Sequence, residues 1–100
     1  MTDSPVALRR LPEVERFMFI VYAVYNKKHN KIYIGQTENI ERRIALHNSG
    51  ELTNSYTSRF DGGWQLIYSE IAYNRVAALI RERQLKSHKG RDFVKKYIPR

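Results

Sequence analysis

Cysteine is absent from this 100-residue chain, which excludes disulfide staples and thiolate zinc sites and fits a reducing compartment. Residues 1–10 contain no apolar core of signal-peptide length. The longest apolar run covers residues 17–25, far short of the roughly 20 residues that a bilayer-spanning helix needs. The chain is therefore expected in the cytoplasm, with no membrane partner. No segment repeats, and the length suits one compact domain. With 42% hydrophobic and 12% aromatic residues, that domain has enough apolar surface to fold without a metal or a staple.

Acidic residues are also scarce, but only locally. Residues 75–100 set nine Lys or Arg against Glu82 and Asp92, a balance of +7, whereas residues 1–74 set nine bases against eight acids. Nearly all of the net +8 therefore lies in the last quarter. A one-ended basic field suits a polyanion, nucleic acid being the usual one. A solubilising surface would carry the same charge, so charge alone leaves both readings open.

Residues 1–16, with Pro5 and Pro12 and no sustained period, read as a flexible basic arm carrying Arg9, Arg10 and Arg16. Residues 18–25 are β-branched and aromatic, as in a strand buried on both faces. A polar turn at 26–30 and a second strand at 31–35 complete an antiparallel hairpin. Thr37 or Asn39 caps a helix that runs to about Asn48 and is stopped by Gly50. On it Ile40, Ile44 and His47 share a face. Residues 49–63 read as a loop and 64–71 as a third strand. Asn74 caps a second helix up to Ser87, on which Val76, Leu79, Ile80 and Arg83 form a stripe. Gly90 reads as a break, and 92–98 as a last helical piece with Phe93, Val94 and Tyr97 inward. The order β-β-α-β-α-α predicts an α+β fold, a small three-stranded antiparallel sheet flanked by helices, in a single domain over 17–98. Trp64, Tyr68 and Phe93 belong to the expected core, Asp61 and Glu70 to the surface.

Three features can carry chemistry. Tyr22 and Tyr33 stand on paired strands; a four-residue turn at 27–30 sets them on one face, and a five-residue turn sets them on opposite faces. Two strand aromatics are also ordinary core material. Arg43 and His47, four apart on the first helix, suit a phosphate clamp with a proton relay, or a boundary between core and solvent. Glu82, flanked by Arg81 and Arg83, is placed to ligate a hard cation through oxygen, or to pair with a neighbouring arginine.

The pair Ile20-Val21-Tyr22 and Tyr33-Ile34-Gly35 resembles the signature of the GIY-YIG nuclease superfamily, with Ile20 where the family name has glycine. The segment Gln36 to Ile44 is similar to the one that carries the family's arginine, which selects Arg43 over Arg42. His47 falls where members have His or Tyr, and the run Ala78 to Lys86 resembles the helix of the metal-binding glutamate, which selects Glu82. The likeness covers residues 18–98 and is strongest to small standalone bacterial members related to the N-terminal nuclease domain of the bacterial repair excinuclease. Some members place an asparagine downstream of the glutamate; none follows Glu82 in this sequence.

The resemblance implies a metal-dependent endonuclease that hydrolyses DNA phosphodiester bonds, in DNA repair, recombination or a related process. In that reading Glu82 holds Mg²⁺ or Mn²⁺, Arg43 neutralises charge on the phosphate, Tyr33 orients water or phosphate, and Tyr22 or His47 takes the proton from water. Arg59, Lys86, Lys89, Arg91, Lys95 and Lys96 would hold the DNA backbone without reading sequence. A targeting or repair protein is a further expected partner. The alternative function is a non-catalytic nucleic-acid-binding module on the same scaffold.

Overall fold

A computed structural model describes residues 18–49 and 55–100. The expected arm at 1–16 and the helix stop at Gly50 lie outside those residues. Strand β1 (Phe19–Asn26) is central, antiparallel to β2 (Lys31–Thr37) on one side and β3 (Gln65–Ala72) on the other. Its β-branched and aromatic run suits that position, and Val21, Tyr22, Ala23 and Val24 are fully buried. Helices α1 (Ile40–Ser49), α2 (Arg75–Lys86) and α3 (His88–Lys95) complete the α+β order expected from the sequence, with a 3-10 turn at Thr57–Arg59.

The hairpin closes through the four-residue turn 27–30, with Asn26 opposite Lys31. Asn30 takes the left-handed conformation, φ 53°, which asparagine tolerates at such turns. Buried Asn26 ties this turn to the loop before β3. Its amide donates to the Asp61 carbonyl at 2.9 Å and its side-chain oxygen accepts from His29 N–H at 3.0 Å. Asp61 stays at the surface, as expected, paired with Lys28 and His29.

Register then separates the two sheet faces, because cross-strand partners point the same way. Val21, Ala23 and Ile34 face α2 and α3, packing with Ala78, Leu85 and Val94. Tyr22, Val24 and Tyr33 face the other way, toward Ile40, Ile44, Phe60 and Trp64. Asn39 caps α1, its side-chain oxygen accepting from Arg42 N–H at 3.0 Å, and Asn74 caps α2 by accepting from Ala77 N–H at 2.8 Å.

Four expectations need correction. The stripe Val76, Leu79, Ile80 and Arg83 faces solvent, with Val76 65% and Ile80 53% exposed; the buried residues of α2 are Ala78 and Leu85. Small alanines let the helix approach the sheet closely, so the packed face is the one with less apolar bulk. The chain breaks at Ser87, whose hydroxyl caps α3 by accepting from Gly90 N–H at 3.2 Å. Gly90 instead lies within α3, where an added Cβ would meet the Gln84 carbonyl at 2.1 Å; it permits close helix contact. Glu70 is no free surface acid: it accepts from Tyr68 and pairs with Arg81 at 2.8 Å. Tyr97 packs against Tyr68 and Phe93 but stays 47% exposed. Among the described residues no helix is long and apolar enough to cross a membrane.

Candidate active site

The hairpin register sets the centre. Tyr22 lies opposite Gly35, and Tyr33 opposite Val24, so both phenols occupy one sheet face. Their ring centroids are 6.4 Å apart. A Cβ at Gly35 would stand 3.0 Å from both the Tyr22 hydroxyl and the Tyr33 ring, so glycine leaves the two rings room to converge.

Helix α1 crosses above this face and presents Arg43 and His47 on successive turns. Arg43 Nε donates to the Tyr22 hydroxyl at 3.3 Å. His47 Nε2 lies 2.8 Å from the same hydroxyl, and His47 Nδ1 lies 2.8 Å from Thr57 Oγ1. The His47 ring meets Tyr33 edge-on at 5.2 Å. All four sequence-derived residues of this face therefore meet.

Burial decides their charge states. It pushes the Tyr22 phenol up to about 12, and the hydrogen bond from Arg43 opposes this without overcoming it. Burial, aided by the charge of Arg43, pulls His47 down to about 4. Arg43 is held further toward its charged form by its bond to Tyr22. At neutral pH the centre is thus a neutral phenol, a neutral imidazole and one guanidinium.

Glu82 arrives from the other side. Gln36 pairs with Val21, so its side chain points to the helix-covered face, and its amide donates to Glu82 Oε1 at 3.1 Å. Glu82 Oε2 pairs with Lys86 at 2.6 Å, and not with Arg81 or Arg83 as the sequence allowed. Its negative charge contributes to raising the Tyr22 phenol, but no hydrogen bond joins it to either tyrosine among the described residues. Gln36 Oε1 is buried and has no hydrogen-bond partner among the described residues. No group of three His, Cys, Asp or Glu able to hold a metal occurs among the described residues.

Around this centre the surface is basic. A cleft of about 770 Å³ is lined by Tyr33 and Tyr56 with Lys31, Lys86, Arg91 and Lys95, and Tyr56 stacks on Tyr33 at 6.1 Å. Of the expected backbone-binding residues, Lys86, Arg91 and Lys95 line it; Arg59, Lys89 and Lys96 are exposed elsewhere. A groove of about 510 Å³ at the other end of β2 is lined by Arg42, Arg43 and Arg75 with Gln36 and Asn39. Gln36, Tyr56 and Thr57 are not among the residues that sequence reasoning selects. Gln36 directly follows Tyr33-Ile34-Gly35, and that adjacency is a usable signal, whereas Tyr56 and Thr57 sit in a stretch with no period.

The GIY-YIG catalytic domain model matches residues 18–97. This chain belongs to the GIY-YIG family. The family is one of nucleases that act on DNA, generally with divalent metals. Among curated proteins the chain is similar to the UPF0213 protein HQ_3675A of Haloquadratum walsbyi, 39% identical over 57 residues. That match takes in 57% of this chain and 62% of the relative's length. No solved structure matches this chain.

Proposed function

We propose that this GIY-YIG chain is a metal-dependent endonuclease that hydrolyses DNA phosphodiester bonds, with Tyr22, Tyr33, Arg43, His47 and Glu82 as its working residues. The observation that carries the reading is the bonded Tyr22, His47 and Arg43 set beside a cleft where Tyr33 meets Lys31, Lys86, Arg91 and Lys95. A catalytic centre placed among cations on both ends of β2 suits a backbone that continues past the cut on either side. The process served is DNA repair, recombination or a related one in the cytoplasm, with a targeting or repair protein as partner.

The residues present fit one hard cation. Glu82 supplies a carboxylate, and the buried oxygen of Gln36, without a partner among the described residues, is a second hard donor on a side chain bonded to it. Mg²⁺ or Mn²⁺ held there, with waters completing the shell, would stabilise the oxygen leaving phosphorus. It must compete with Lys86 for the Glu82 carboxylate.

The protein's own groups do the rest. Arg43 offsets charge gathering on the non-bridging phosphate oxygens. Tyr33 orients the phosphate at the cleft wall. Tyr22 and His47 share a hydrogen bond of 2.8 Å, so they act as one relay. As water oxygen bonds to phosphorus and the ester P–O bond breaks, the water proton passes to Tyr22 oxygen and the phenol proton to His47 Nε2. The leaving oxygen takes a proton from solvent, and His47 returns its own by the same path. The arriving phosphates favour a protonated His47, which offsets part of the cost set by burial.

Nicking of supercoiled plasmid by purified protein, with Mg²⁺ and with chelator, tests the activity. Glu82→Gln keeps the shape and removes the charge, so nicking is expected to fall by orders of magnitude while DNA binding holds or tightens. Nicking by Glu82→Gln at the wild-type rate would remove the metal-ligand role. Binding without any metal-dependent nicking by the wild type would leave a nucleic-acid-binding module.

A further inference from the structure

Thr57 lies in the loop between α1 and β3 and has none of the character of a family signature residue, yet it is 2% exposed. Its backbone carbonyl accepts from the Trp64 indole N–H at 3.1 Å. Its hydroxyl touches His47 Nδ1 at 2.8 Å and Ser55 Oγ at 3.3 Å. Four groups thus stand in a row: Tyr22 hydroxyl, His47 ring, Thr57 hydroxyl, Ser55 hydroxyl.

Counting protons along this row selects one direction. A neutral imidazole carries a single N–H. If that proton sits on Nε2, it points at the Tyr22 oxygen, which already accepts from Arg43. The phenol proton then has no other acceptor beside it among the described residues, in a side chain that is 0% exposed. An orphaned buried O–H costs about 1–3 kcal/mol. If the proton sits on Nδ1, it donates to Thr57 Oγ1, and the Thr57 proton turns to Ser55. His47 Nε2 then accepts from the Tyr22 hydroxyl, whose lone pairs face Arg43, and the phenol, imidazole and Thr57 protons each have an acceptor.

We propose that Thr57 is the positioning residue that fixes His47 in its Nδ1–H tautomer, so that Nε2 presents its lone pair to the Tyr22 phenol. The tautomer assignment stands on the geometry alone, and its consequence for turnover rests on the nuclease reading above. Thr57 acts through the ring of His47, and the anchor to Trp64 holds it in place.

Nitrogen-15 NMR of the His47 ring, on the full chain at neutral pH, reads the tautomer directly. Wild type is expected to show a protonated Nδ1 and an unprotonated Nε2. Thr57→Val keeps the shape, removes the acceptor of the Nδ1 proton and is expected to weaken that preference, while Thr57→Ser retains it. Plasmid nicking with Mg²⁺ is expected to fall about 10- to 100-fold in Thr57→Val, at unchanged DNA affinity, and to recover in Thr57→Ser. A protonated Nε2 in wild type, or an unchanged ring in folded Thr57→Val, overturns the proposal. So does a failure of folded Thr57→Ser to keep the wild-type tautomer. Absence of nicking in wild type, with the tautomer and its loss in Thr57→Val observed, supports the role of Thr57 and removes the nuclease reading instead.

Discussion

On the face covered by α2 and α3, Val21, Ala23 and Ile34 meet Ala78, Leu85 and Val94, and contact there is mainly apolar. On the opposite face, the same sheet presents Tyr22, Val24 and Tyr33 to α1 and the loop, and the contacts there include directed hydrogen bonds through His47, Arg43 and Thr57. The first face can be filled by any side chains of suitable volume. The second is specified atom by atom, since Tyr22, His47 and Thr57 are buried and need their partners. The comparison teaches that one alternating strand divides the labour: odd-numbered residues of β1 stabilise the fold, and even-numbered ones include the centre of the site.

Substitutions on the two faces should therefore separate activity from stability. The largest effect is expected from Tyr22→Phe, which removes only a hydroxyl. Nicking should drop at least about 100-fold, while urea unfolding shifts by about 1 kcal/mol. A well-folded Tyr22→Phe that nicks normally would break the division. Its counterpart is Leu85→Ala on the helix-covered face. Stability should fall by about 2–5 kcal/mol, and the rate per folded molecule should stay near wild type. Loss of that rate in fully folded protein would show that the two faces are not independent.

Acid should also strike one face first. His47 is held down at about 4 from its ordinary 6.5 by burial, so the unfolded chain binds its proton more readily than the folded one. The contribution of His47 to stability is complete above about pH 6.5 and is lost as pH falls toward 4. Chemical denaturation between pH 4 and 8 should show this slope, and His47→Phe should flatten it; a slope unchanged in the variant would assign it to another group. The smallest effect expected is on DNA affinity. Replacing Lys86, Arg91 and Lys95 together should make the log-log salt slope shallower by about 2–3. An equal change on replacing Arg59, Lys89 and Lys96 would mean that the cleft beside Tyr33 is not the main DNA path.

Much of this is legible because it is periodic. The β-branched and aromatic run along 18–25 and the short polar turn announce the hairpin, and its even turn length is the alternative that sets Tyr22 and Tyr33 on one face. The cap Asn74 is readable from residue type alone, whereas for α1 residue type offers both Thr37 and Asn39 and the structure selects Asn39. Helix α2 misleads because pattern counts apolar bulk, whereas packing here selects the small residues that let backbones approach. Gly90 misleads for the same reason, resembling a stop where it is a point of contact. The partners of Glu82, Gln36 and Lys86, and the bond from Thr57 to His47 depend on which loop reaches which helix, and local sequence carries no record of that.

The register of the hairpin has a consequence for biosynthesis. A slip of one residue between β1 and β2 would turn Tyr22 or Tyr33 away and place Val21 or Ile34 where a phenol belongs. The same slip would expose the apolar face that α2 and α3 cover. A newly made chain that has paired wrongly thus fails twice, as a scaffold and as a cutting tool. For an enzyme with the activity proposed, this ties harm to the host's DNA to the finished fold, and leaves half-made copies harmless.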